Sequence, residues 1–126
     1  MRLVRNSKEF PISLVKEGSI VTIGAFDGLH LGHQELLNAV LDLAANHNLP
    51  TIVMSFEPMP KEFFANKKPP ARLMRFREKY DALKKYGINI FYCPNFNTDM
   101  KNIKSDTFVR QLLIHTLNMK YLVVGD

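Results

Sequence analysis

Ser19-Ile20-Val21-Thr22-Ile23-Gly24-Ala25-Phe26-Asp27-Gly28-Leu29-His30-Leu31-Gly32-His33 is the stretch that decides the fold. Its first five residues are largely β-branched and apolar, the composition of a central strand buried on both faces. Beyond it, Leu36, Leu37, Val40, Leu41 and Ala44 recur at helical spacing, which predicts a helix over residues 31–47, closed by Asn48 and Pro50. The glycine-rich piece between them is then a strand-to-helix turn, where backbone N–H groups and the helix dipole collect anions. Gly24 and Gly28 suit a tight turn that a Cβ would obstruct, and Gly32 lets a phosphate approach the backbone. His30 and His33 fall on one side of the first helical turn, each able to donate a hydrogen bond to a phosphate oxygen.

The same alternation continues outward. Residues 51–56 read as a second strand, stopped by Glu57-Pro58-Met59-Pro60. After Phe63, Phe64 and the turn-rich residues 66–70, Leu73, Phe76, Tyr80 and Leu83 predict a helix over 73–86 capped by Gly87. Residues 88–92 read as a third strand, and 94–104 as loop. Ser105 has the chemistry of an N-cap for a helix running to about residue 117, with Phe108, Leu112 and Leu113 toward the core. Residues 121–124 make a fourth strand. Upstream, residues 1–18 read as a short extended piece and a brief helix over 7–14. Strand and helix alternate with no hairpin signal and no repeat, which predicts an α/β fold, a parallel sheet with helices on both faces. Ligands of such sheets bind beyond the carboxyl ends of the strands, at the point where the strand order reverses.

Composition narrows the function classes. The 126 residues are 46% hydrophobic, which suits one globular domain, and no apolar run approaches the roughly 20 residues of a membrane span. The first nine residues carry charges without an apolar core, unlike a signal peptide. Cys93 is the single cysteine, so no internal disulfide forms, and a reducing cytoplasm is expected. Cys93 also lacks the close partner that a zinc site with His30 and His33 would need. Residues 57–86 hold nine basic side chains against four acidic ones, which accounts for the whole net charge of +5. That field suits a phosphorylated small molecule or a nucleic acid, although most of its lysines read as a solvated helix face. Arg72, just after Pro69-Pro70, stands apart from that face.

No Gly-Lys-Ser/Thr triplet follows the glycines, and their spacing is not that of a dinucleotide-binding turn. The stretch from Gly24 to His33 instead resembles the G-x-F-D-x-x-H-x-G-H signature of the nucleotidyltransferase superfamily, whose fold is a Rossmann-like parallel sheet flanked by helices. The resemblance implies that His30 and His33 are the catalytic pair holding the triphosphate of ATP or CTP. Gly24, Ala25, Phe26, Asp27, Gly28 and Gly32 would shape the rest of the ATP site. Phe56-Glu57-Pro58-Met59-Pro60, Phe63-Phe64 and Ala71-Arg72-Leu73 are similar to the segment beyond strand two of bacterial FAD synthetases, the bifunctional riboflavin kinase/FMN adenylyltransferases. Residues 121–126 resemble that family's fourth strand and turn. The implied reaction is transfer of AMP from ATP to FMN, giving FAD and pyrophosphate. Phe56, Pro58, Pro60, Phe64, Arg72 and Phe108 would bind FMN, because prolines and phenylalanines make rigid walls for a flat apolar ring. Mg²⁺ is expected with the ATP phosphates. Asp27 either meets that metal through water or braces the turn, and the frequency of Asx turns favours bracing.

The resemblance covers residues 19–126 and only the front of the adenylyltransferase module, with none of the riboflavin kinase module. In the family, the Gly-Asp at 125–126 continues into further phosphate-binding segments. The chain as given is therefore expected to be a poor catalyst with residual nucleotide affinity, self-associating through exposed sheet surface. Two other readings stand beside it. One is a different nucleotidyltransferase, such as a cytidylyltransferase, against which the Pro-x-Pro aromatic segment speaks. The other is a non-catalytic module binding nucleotide or nucleic acid; weak interleaving of aromatic and basic residues argues against nucleic acid.

Overall fold

The computed structural model describes residues 1–24, 26, 31–55, 76–94, 107 and 109–125. Five strands form one parallel sheet: β1 (Arg2–Val4), β2 (Ser19–Ile23), β3 (Thr51–Met54), β4 (Ile90–Tyr92) and β5 (Met119–Val123). Their order across the sheet is β1-β4-β3-β2-β5, with every pair parallel. The chain therefore winds outward from β2 through β3 to β4, then returns to lay β5 on the other side of β2. The order reverses between β2 and β5. The extended piece read at the N-terminus is strand β1, at the edge opposite β5.

Two helices connect the outward run, α1 (Leu31–His47) and α2 (Phe76–Tyr86). α1 has the bounds its periodicity predicts. It ends on Asn48 at φ 53°, with the Leu49 N–H donating to the Ala44 carbonyl. α2 ends on Gly87 at φ 87°, whose N–H donates to Lys84 while the Ile88 N–H reaches back to Leu83. Both ends follow the left-handed capping pattern that satisfies the last carbonyls of a helix. This capping draws Ile88 out of the strand it was assigned to. Asn89 leaves the strand as well: its Oδ1 accepts the Thr51 N–H at 2.9 Å and the Thr51 hydroxyl at 3.1 Å, while its own N–H donates to Thr51 Oγ1 at 2.9 Å. So β4 begins at Ile90, two residues later than the sequence suggests.

The third helix differs more. Its described part, Val109–Thr116, is wound with π hydrogen bonding. The Leu117 N–H continues this i→i+5 pattern onto Leu112 at 3.1 Å. Its end is tied down. Ser19 Oγ donates to the Leu117 carbonyl at 2.6 Å, and Asn118, at φ 49°, donates through Nδ2 to Val15 at 2.7 Å. Ser105 and Phe108 lie outside the described residues. β5 starts at Met119 rather than 121, and its register against β2 slips at Lys120.

Side chains alternate across the pleat. Val21, Ile52, Met54, Ile90 and Tyr92 share one core with Phe10, Val15, Leu113 and Leu117. Val53 and Phe91 share the other with Leu37, Leu83 and Phe26. Both faces are thus covered, as a parallel sheet requires. Within the first core the Tyr92 ring lies 5.3 Å from that of Phe10, and burial pushes its phenol above the usual value, partly offset by a hydrogen bond with Ser7. Between β1 and β2 the chain forms two short 3₁₀ turns, Ser7–Glu9 and Ile12–Val15, rather than one brief helix.

Candidate functional site

The carboxyl ends of β2 and β5 part around the first turns of α1 and leave an open cleft of about 600 Å³. It stands where the strand order reverses, the place such sheets use for ligands. Ile23 and Gly24 supply one wall from β2, and Val123, Val124 and Gly125 the facing wall from β5. His33, Glu35, Leu36 and Ala39 of α1 close the third side. The first turn of a helix presents N–H groups that no carbonyl within the helix can reach. Here that turn, with its positive dipole end, opens on the cleft.

The turn out of β2 is built by packing. The Gly24 N–H donates to the Met54 carbonyl at 3.1 Å, so β2 stays registered to β3 as far as the cleft. Two residues on, Phe26 takes a left-handed backbone, φ 52°, and none of its surface is exposed. A Cβ on Gly24 would stand 3.0 Å from Phe26 Cε2. That is the reason for glycine at position 24. Among the described residues of this turn the left-handed conformation falls to Phe26, while Gly24 needs only space. The His33 ring, half-buried, packs against the Phe26 ring at a centroid distance of 5.2 Å and a tilt of 45°.

Of the expected site residues, Gly24, Phe26 and His33 line this one cleft, and Gly32 sits in the first turn of α1. Phe26 is among the residues that line the cleft, while its buried ring packs into the core beneath it. Ala25, Asp27, Gly28 and His30 lie outside the described residues. So do the expected flavin-binding residues Phe56, Pro58, Pro60, Phe64, Arg72 and Phe108. The segment that carries most of them starts from the same rim: Ser55 follows Met54, the acceptor for Gly24, and donates to Tyr92 at 3.0 Å.

Glu35 and Ala39 escaped the sequence reading. They lie one turn apart on α1, a spacing legible in the sequence, but only the placement of β5 makes that side of the helix a wall. The basic set of α2 also differs from a uniformly solvated face. Lys79 is buried, and the exposed Arg77 pairs with Asp81 at 3.8 Å. His47 lies at the opposite end of α1, stacked on Tyr121 at 4.6 Å, and Cys93 is buried in the α1–α2 core. Among the described residues no three His, Cys, Asp or Glu side chains converge to hold a metal, and no helix is long and apolar enough to cross a membrane.

The family model for FAD synthetase matches residues 12–126. The bifunctional riboflavin kinase/FMN adenylyltransferase of Escherichia coli (strain K12) is 40% identical over 129 residues, covering 100% of this chain and 40% of that protein. The protein of the same name from Buchnera aphidicola subsp. Acyrthosiphon pisum (strain APS) is 36% identical over 126 residues, covering 100% of this chain and 39% of its own length. The chain thus spans about two fifths of the length of these curated relatives. A crystal structure described as a macrolide-efflux protein from Streptococcus pneumoniae superposes with a TM-score of 0.81 at 27% identity, over 97% of this chain and 40% of that one.

Proposed function

This chain belongs to the FAD synthetase family, and we propose that it contributes the ATP site of an FMN adenylyltransferase, which joins AMP from ATP to FMN to give FAD and pyrophosphate. The observation that carries the reading is the cleft itself: Gly24, His33 and the first turn of α1 meet at the reversal of strand order between β2 and β5.

In this reaction a phosphate oxygen of FMN attacks the α-phosphorus of ATP, the new P–O bond forms, and the bond to the β-phosphate oxygen breaks. The nucleophile is already anionic, so the protein need supply no covalent intermediate; positioning and neutralisation of charge carry the rate. The N-terminal end of α1 and the His33 ring hold the phosphate chain and stabilise charge building on the leaving pyrophosphate. His30, in the same motif, shares that task. Glu35 sets the polarity of the cleft, because a carboxylate repels phosphates. The triphosphate lies toward His33, and the nucleoside lies along Leu36, Ala39 and Val124. Phe56, Pro58, Pro60, Phe64, Arg72 and Phe108 are the residues assigned to FMN. Mg²⁺ bound with the triphosphate would supply Lewis-acid neutralisation of the phosphate charge. The cytoplasm, where ATP is abundant, is the location that suits this reaction.

β5 is an edge strand whose Tyr121, Leu122 and Val124 are 37%, 41% and 64% exposed. A second copy of the chain pairs along that edge, an association that sedimentation over a concentration series tests.

Calorimetry with ATP tests the site. His33→Ala should weaken binding by roughly 10- to 100-fold, the cost of a hydrogen bond to a charged group. Unchanged affinity in a folded variant would remove His33 from the nucleotide site. Release of pyrophosphate on adding both ATP and FMN reads the full reaction.

A further inference from the structure

Phe26 is the residue whose conformation the local sequence explains least. A bulky side chain with positive φ is a steric outlier, and such strain persists only where the surroundings over-determine it, commonly beside a functional group. Three contacts do so here. The ring is sunk in the buried cluster of Leu37, Val53 and Phe91. Gly24 roofs it so closely that a methyl group there would press its edge. Its remaining neighbour of note is the His33 ring, at the distance and tilt of a favourable aromatic pair.

We propose that Phe26 is the positioning residue for His33: pinned between the core and Gly24, it fixes the plane of the imidazole and so the direction of its N–H toward the phosphates. Hydrogen bonds weaken steeply as they bend, so a donor on a freely turning ring loses much of its value. The left-handed backbone at Phe26 places its side chain under α1. Phe26 acts through His33. The proposal rests on the reading that His33 meets the nucleotide.

The test uses the whole chain. In the unaltered protein, the ring current of Phe26 should displace the His33 Cε1–H resonance, and cross-relaxation should link the two rings. Phe26→Leu keeps an apolar side chain and removes the aromatic face. It should abolish that displacement and weaken ATP binding by about two- to tenfold, the worth of one aromatic pair. His33→Ala is measured alongside. If His33→Ala weakens ATP binding while Phe26→Leu lowers only the melting temperature, Phe26 is core packing and the proposal fails. Absence of ring contact in the unaltered chain overturns it without any variant. Unchanged ATP affinity in His33→Ala overturns the nucleotide reading and this inference together.

Discussion

Gly24→Ala isolates the packing that shapes the cleft. The added Cβ would stand 3.0 Å from Phe26 Cε2 and 3.4 Å from both Cδ2 and Cζ. Carbon atoms rest comfortably at about 3.5–4.0 Å, so the ring must retreat by a few tenths of an ångström. It has no solvent side to retreat into, being fully buried. Overpacking by one methyl group costs about 1–3 kcal/mol. Against this, alanine restricts the unfolded chain and returns about 0.4–1 kcal/mol, because Gly24 is not among the positive-φ glycines. The net expectation is a loss near 1 kcal/mol. At about 2.1 cal/mol/K per residue, 1 kcal/mol lowers the Tm of a chain this size by about 4 °C. The displaced ring also presses on His33, so ATP affinity should fall with stability. Thermal melting and calorimetry on Gly24→Ala, Phe26→Leu and the double variant give a coupling energy. It should reach about 0.5–1.5 kcal/mol, since the three atoms nearest the new methyl group all belong to the Phe26 ring. A Gly24→Ala variant that melts higher than the parent and binds ATP equally well would refute the confinement of Phe26.

Three further outcomes follow from buried polar groups. The Thr22 hydroxyl is buried on central strand β2 with no hydrogen-bond partner among the described residues, so Thr22→Val should raise stability by about 1 kcal/mol, read as a higher urea midpoint at unchanged slope. Asn89→Ala removes the acceptor shared by the Thr51 N–H and hydroxyl and should cost about 1–3 kcal/mol by the same measurement; an unchanged midpoint would show that water replaces the side chain. Tyr92 keeps its proton to higher pH when folded than the free phenol does. The unfolded chain therefore ionises first as pH rises. Stability from this group is complete below about pH 10 and is lost above it, with a slope of at most about 1.4 kcal/mol per pH unit. Denaturant titrations between pH 8 and 11 should show a shallower alkaline loss in Tyr92→Phe than in the parent.

Elements set by local patterns were legible from the chain alone. The spacing of Leu36, Leu37, Val40, Leu41 and Ala44 yields α1 at its observed bounds, and Asn48 and Gly87 end their helices in the left-handed conformation those residues tolerate. The family, too, was readable by resemblance, from the Gly24 to His33 stretch together with the Pro-x-Pro aromatic segment over residues 56–73. The cleft's far wall was not. Residues 121–124 were recognisable as a strand, but pairing beside β2 rather than beside β4 depends on burying a sheet face against distant helices, which no local window contains. The same holds for β1, three residues whose place at the outer edge beside β4 comes from partners nearly 90 positions away.

Phe26 marks the division most sharply. Its motif position suggests a part in shaping the ATP site, and its type argues against a positive φ, yet the backbone turns left-handed and the ring packs inward. Local preference determined that a strand, a glycine turn and a helix follow one another here. Tertiary packing decided which side chain is core, which reaches the cleft, and on which side of β2 the cleft opens, because burial energy is shared among residues far apart in the chain and exceeds the conformational preference of any one of them.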